Sequence, residues 1–83
     1  MSILMYPLAT EKAINMIDKN NTITYVVALH ATKNQVKKEF EERFAVKVKK
    51  VNIGISAKNS KKAYITLDKT QKASDLALRL KLL

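Results

Sequence analysis

The chain has 83 residues, 47% of them hydrophobic, with 16 Lys+Arg against 7 Asp+Glu and a formal net charge of +9. That length allows one small domain over 1–83, and the absence of cysteine excludes disulfides, iron–sulfur clusters and thiolate zinc sites. A single histidine excludes a multi-histidine metal centre within the chain, and a single glycine excludes glycine-rich phosphate loops, so no metal or cofactor is expected.

Ile3 to Tyr6 is a short apolar run closed by Pro7, which suits an edge strand. Thr10 then caps a helix over Glu11 to Lys19, with Ala13, Ile14 and Ile17 as its apolar stripe. Asn20-Asn21 ends it, because asparagine tolerates the left-handed conformation that closes helices. Thr22 to Leu29 reads as a strand with Ile23, Tyr25, Val27 and Leu29 on one face. Thr32 with Gln35 forms a capping-box signature, and Val36, Phe40 and Phe44 continue as one apolar line on the helix that follows. Glu39 and Arg43 are spaced to pair on it.

Val46 to Ser56 predicts a longer strand with a break in parity. Val46 and Val48 share one face, whereas Val51, Ile53 and Ile55 share the other, so a bulge is expected near Lys49-Lys50. A turn at Lys58 to Lys61 leads into a strand from Lys62 to Leu67, with Ala63, Ile65 and Leu67 turned inward. A last helix over Gln71 to Leu80 buries Ala73, Leu76, Ala77 and Leu80. The order β-α-β-α-β-β-α, with a hairpin between its last two strands, predicts an α+β fold: a sheet at least partly antiparallel with helices packed on it.

The charge is lopsided: net zero over 1–31, +7 over 32–62 and +2 over 63–83. Lys47, Lys49, Lys50, Lys58, Lys61 and Lys62 lie within an acid-free stretch, the electrostatic footprint of a polyanion partner. On the hairpin they are expected at one end of the sheet. With 14 lysines to 2 arginines, the expected contact is with the backbone and shape of a folded RNA, since lysine is a mobile point charge. Tyr64 can stack on an unpaired base or pack along the sheet rim, and Asn52 can hydrogen-bond a base or sugar. A free single-strand RNA-binding domain would need aromatics paired on neighbouring strands, which this chain lacks.

Catalysis finds no support. His30 ends a strand as a surface residue, the serines lack a nucleophile-elbow context, and Glu41 and Glu42 point to different sides of their helix. No secretory signal follows Met1, and no apolar run approaches the roughly 20 residues that span a bilayer, so a cytoplasmic protein without membrane insertion is expected. The C-terminal LALRLKLL reads as a packing helix.

Four blocks in order carry a resemblance: Pro7-Leu8-Ala9-Thr10-Glu11-Lys12-Ala13, Ala31-Thr32-Lys33, the segment FAVKVKKVN from Phe44 to Asn52, and Lys61-Lys62-Ala63-Tyr64. Together they resemble the universal large-subunit ribosomal protein twenty-three family, in its short, archaeal-type form. The resemblance implies a four-stranded antiparallel sheet bound to the third domain of large-subunit rRNA near the polypeptide exit tunnel. It also implies neighbouring ribosomal proteins and a docking surface for nascent-chain chaperones, the signal recognition particle and the protein-conducting channel. Carried over by position, Thr10, Glu11 and Lys12 match the signature at the first helix, with Lys12 counted among the RNA-binding lysines. Glu11 stands at an acidic docking contact and Phe44 at an aromatic beside it. Lys47, Lys49, Asn52, Lys61, Lys62 and Tyr64 fall on the RNA-facing sheet and hairpin, with Lys50 and Lys58 in the same cluster. The chain departs from its relatives at Ile53, where threonine is usual, and at Asn59 and Lys81, where glycine is frequent. With lysine at 81, the last helix is expected to run on. The rival reading is a protein–protein adaptor acting through the first helix without stable RNA binding.

Overall fold

The computed structural model describes residues 3–55 and 60–82. Its elements are β1 (Leu4–Pro7), α1 (Glu11–Asn20), β2 (Thr22–Val27), α2 (Lys33–Phe44), β3 (Val48–Ile55), β4 (Lys61–Leu67) and α3 (Ala73–Arg79). The strands form one antiparallel sheet in the order β1-β2-β4-β3. Ser56 and the expected turn with Lys58 and Asn59 lie outside the described residues.

Both N-terminal caps form as the sequence predicts. The Thr10 hydroxyl accepts from the Ala13 N–H at 3.2 Å, and Thr32 and Gln35 exchange the two bonds of a capping box at 3.0 and 3.2 Å. Each satisfies donors that the first helical turn leaves without a partner. Asn21 closes α1 in the left-handed conformation, with φ 52°. The predicted break in β3 is a register shift between Val48 and Lys50, so Lys49 is the extra residue that moves the buried side chains from Val48 to Val51.

Cross-strand pairing sorts the side chains onto two faces. Ile23, Tyr25 and Val27 of β2 pair with Ile65, Ala63 and Lys61 of β4, which in turn pair with Val51, Ile53 and Ile55 of β3. This face joins Val36 and Phe40 of α2, Ala73, Leu76 and Ala77 of α3, and Ile17 of α1 in one core. Phe40 lies edge-on to Tyr25, with ring centroids 6.0 Å apart, and 4.7 Å from Phe44, so Phe44 closes the aromatic end of the core.

Three expectations are corrected. β2 stops at Val27, where its partners β1 and β4 also run out, and Leu29 is left in a turn and 59% exposed instead of on the apolar face. Ile55 keeps the parity of Val51 and Ile53, as expected, and is 76% exposed because β3 carries it out to the hairpin end beside Lys61. Helix α3 begins at Ala73, not Gln71, and ends at Arg79. It does not run on at Lys81, which takes φ 61° while its N–H bonds to the Leu78 carbonyl and that of Leu82 to the Ala77 carbonyl. That pair of bonds is a Schellman closure with a lysine in the glycine position.

Candidate nucleic-acid interface

The second face of the sheet is polar because alternation sends every other side chain away from the core. It carries Thr22, Thr24 and Val26 from β2, Lys62, Tyr64 and Thr66 from β4, and Lys50, Asn52 and Gly54 from β3. Helix α1 lies along part of this face, and two depressions follow the junction. The smaller, of about 40 Å³, is lined by Lys12, Met16, Thr24, Lys62 and Tyr64. The larger is a cleft of about 430 Å³ lined by Lys19, Lys49, Lys50, Asn52, Tyr64 and Thr66. Tyr64 borders both, and among the described residues no acidic side chain lines either.

Six of the predicted residues therefore come together: Lys12, Lys49, Lys50, Asn52, Lys62 and Tyr64. The rest go elsewhere. Lys61 falls on the core-side face, and its ammonium donates to the carbonyls of Leu29 at 3.0 Å and Ala31 at 2.7 Å, clamping the β2–α2 connection. Lys47 precedes β3, and its carbonyl accepts from the Asp68 N–H at 3.0 Å. The Asp68 carboxyl is held below its ordinary range by hydrogen bonds from the Thr70 hydroxyl and N–H, with a smaller contribution from the Lys47 charge. Lys58 lies outside the described residues.

The expected gathering of six lysines at one end of the sheet is also corrected. Lys50 pairs with Thr66 and Gly54 with Lys62, so the β3 lysines and the hairpin lysines stand four residues apart along the strands. At about 3.4 Å per residue that is roughly 14 Å, a stripe along the sheet and not a cluster at its tip. An antiparallel hairpin imposes this, because the start of one strand faces the end of the next.

Glu11 is exposed on the outer side of α1, where it lines a separate shallow depression of about 320 Å³ together with Asn15 and the α1 residues Lys12, Met16 and Lys19. Phe44 is half-buried against Phe40 and Tyr25. The two are not brought into one site by any described contact.

Sequence reasoning missed Lys19. The signal was present: Lys12, Met16 and Lys19 follow i, i+4, i+7 spacing and so share one side of α1. It also missed the work of two acids. Glu41 accepts the Val48 N–H at 2.8 Å, next to the bulge, and Glu39 accepts the N–H groups of Ile3 and Leu4 at 3.3 and 3.0 Å. Glu39 also pairs with Arg43 at 3.5 Å, as predicted. Among the described residues no group of three or more His, Asp or Glu could hold a metal ion, and no helix is long and apolar enough to cross a membrane.

The family model for ribosomal protein L23 matches residues 2–59. The chain is 44% identical over 79 residues to large ribosomal subunit protein uL23 of Methanothermobacter thermautotrophicus, covering 95% of this chain and 92% of that protein. It is 43% identical over 79 residues, with the same coverage, to large ribosomal subunit protein uL23 of Methanobrevibacter smithii. A four-stranded antiparallel sheet in the expected element order, a family match over most of the chain and near full-length similarity to two archaeal relatives agree: the chain belongs to the ribosomal protein L23 family, whose members are structural and not enzymes.

Proposed function

We propose that this chain is a structural constituent of the large ribosomal subunit, at work in the cytoplasm, that binds large-subunit rRNA near the polypeptide exit tunnel. The observation that supports this most is that Lys12 and Lys19 of α1 and Lys49, Lys50 and Lys62 of the sheet line two depressions with no acid among their described lining residues, with Tyr64 and Asn52 among them. Ammonium groups spread over a surface can each meet a backbone phosphate, and releasing condensed counterions drives such binding. The third rRNA domain is the expected target, with neighbouring ribosomal proteins alongside.

The outer side of α1 with Glu11, and the helix-end region at Phe44, supply the second part of the role: a surface on which nascent-chain chaperones, the signal recognition particle or the protein-conducting channel dock. Glu11 and Phe44 line neither of the two lysine-bordered depressions, so RNA binding and docking can use different residues of one molecule. It also gives the adaptor reading its place, as one half of the function and not its replacement.

The test is binding of the full chain to a transcript of the third rRNA domain across a salt series. With about five lysine–phosphate contacts, log affinity is expected to fall against log salt with a slope of roughly −3.5 to −4.5. Replacing Lys49, Lys50 and Lys62 by Glu together is expected to abolish binding in the same range. A flat salt response, or unchanged affinity in the triple variant, would leave the adaptor role standing alone.

A further inference from the structure

The cleft between α1 and the open sheet face has a shape that a row of lysines does not require. Tyr64 is half-buried at its wall, and its ring leans over β3 so that a Cβ built at Gly54 would stand 3.5 Å from the ring's Cε2. Gly54 is the chain's single glycine, and it sits in mid-strand at a backbone conformation open to any residue, not at a positive-φ turn. The turns that do take positive φ use Asn21, Ala45 and Lys81 instead. A glycine inside a strand weakens it and marks a place where another group comes close. Here the group that comes close is the Tyr64 ring itself, which would stand in ordinary van der Waals contact with a side chain at this position.

Around that ring stand three kinds of group. Lys19 comes from α1, Lys49 and Lys50 from β3, the Asn52 amide pairs directly across from Tyr64, and the Thr66 hydroxyl lies at the base, 2.9 Å from that of Thr22. A double helix is convex and keeps its bases inward, so it rests on protruding cations. A concave cleft with an aromatic wall, an amide and cations at its rim has the parts that hold one nucleotide: a π-face for the base, ammonium groups for phosphates, and a donor–acceptor pair for a base or sugar edge. Its volume of about 430 Å³ falls within the ~300–1,000 Å³ typical of sites for small organic groups.

We propose that this cleft takes a single unpaired nucleotide of the bound RNA, its base stacked on Tyr64 and its flanking phosphates held by Lys19 on one side and Lys49 and Lys50 on the other. The proposal rests on the RNA-binding reading above and adds the kind of RNA element recognised: an extruded nucleotide, not continuous duplex. Along α1, Lys12, Met16 and Lys19 line the two depressions on the sheet side, whereas Glu11 and Asn15 line neither and border a shallow depression that shares those three residues.

The full chain is titrated with the third-domain transcript by fluorescence anisotropy, beside four single variants. Salt-dependent binding by the unaltered chain is the expected reference, and its absence overturns the RNA reading and the cleft with it. Tyr64→Ala is expected to weaken binding about tenfold, while Tyr64→Phe, which keeps the ring, stays within about twofold. Lys19→Ala is expected to weaken it about two- to fivefold and to make the log–log salt slope shallower by roughly 0.7–0.9. Lys37→Ala, on the exposed side of α2, serves as the control. Binding by the unaltered chain with Tyr64→Ala and Lys19→Ala no weaker than Lys37→Ala overturns the cleft and leaves RNA binding intact. Tyr64→Trp, the only tryptophan in that variant, keeps the question open to a second readout if Tyr64→Ala does not fold. Its emission is expected to be quenched by RNA through stacking, and unquenched emission at saturating RNA overturns the proposal.

Discussion

Lys81 shows how a single residue sets the end of an element against its own preference. At φ 61° its Cβ crowds the following carbonyl, a conformation that costs an L-residue roughly 1–2 kcal/mol and glycine almost nothing. Ala45, the residue that closes α2, takes φ 54° and carries the same strain without a side chain long enough to find compensation. Lys81→Gly and Ala45→Gly should each stabilise the fold by about 0.5–1 kcal/mol, the gain being reduced by the extra freedom of glycine in the unfolded chain. Thermal unfolding followed by circular dichroism should show a rise of about 2–8 °C for each, given about 4–8 °C per kcal/mol in a domain of this size. From the sequence alone, Lys81 lets the last helix continue. Its own propensity does favour that, and the tertiary contacts of Leu80 and Leu82 with the core override it.

At the scale of elements, α3 is a seven-residue helix that does not cap itself. Its N-cap position holds Lys72, whose side chain makes no capping bond. The cap comes instead from Asn21, 52 residues away, whose Oδ1 accepts the Ala73 N–H at 2.7 Å. The Nδ2 of the same side chain donates to the Gln71 carbonyl at 2.9 Å and reaches the Leu67 and Asp68 carbonyls at 3.3 and 3.4 Å. One asparagine thus closes α1 with its backbone and opens α3 with its amide. The two duties separate in Asn21→Gly, which keeps the left-handed backbone and loses the amide. That variant should lose about 1.5–3 kcal/mol, as partly buried backbone groups go unpaired, and hydrogen exchange should speed selectively at the Ala73 amide. Asn21→Ala should be worse by about 1 kcal/mol, since it also forces a Cβ into positive φ. Local rules named Asn21 as a helix terminator and nothing more, because its second role depends on the return of the chain after β4.

For the whole molecule, the sheet divides two kinds of physics. One face is dehydrated and joined to α2 and α3, and the other gathers like charges that repel one another until an anion arrives. On the RNA-binding function proposed above, the same lysines act with opposite sign in the free and bound protein. Raising salt from about 20 to about 300 mM shortens the Debye length from roughly 20 Å to under 6 Å. It should raise the unfolding temperature of the free protein by a few degrees while lowering its affinity for RNA by about 10⁴- to 10⁵-fold. Lys49→Gln should blunt both trends together. Parallel melting and binding series in one buffer check this, and a salt response of the same sign in both would contradict it.

By itself the amino-acid sequence determined the element order, both side-chain caps, the bulge at Lys49 and the basic character of the second half. These are properties of a residue and neighbours a few positions away, where periodicity, capping and charge density act directly. The tertiary structure alone decided which lysines share a surface. Strand register turned Lys61 toward the Leu29 and Ala31 carbonyls, left Lys62 on the open face, and set Lys49 and Lys50 some four residues along the sheet from it. It also brought Lys19 of α1 across to Tyr64 and Asn52. Placements of that kind relate residues a dozen to some forty-five positions apart, and one step of register exchanges the two faces of a strand, so only the paired sheet could assign them.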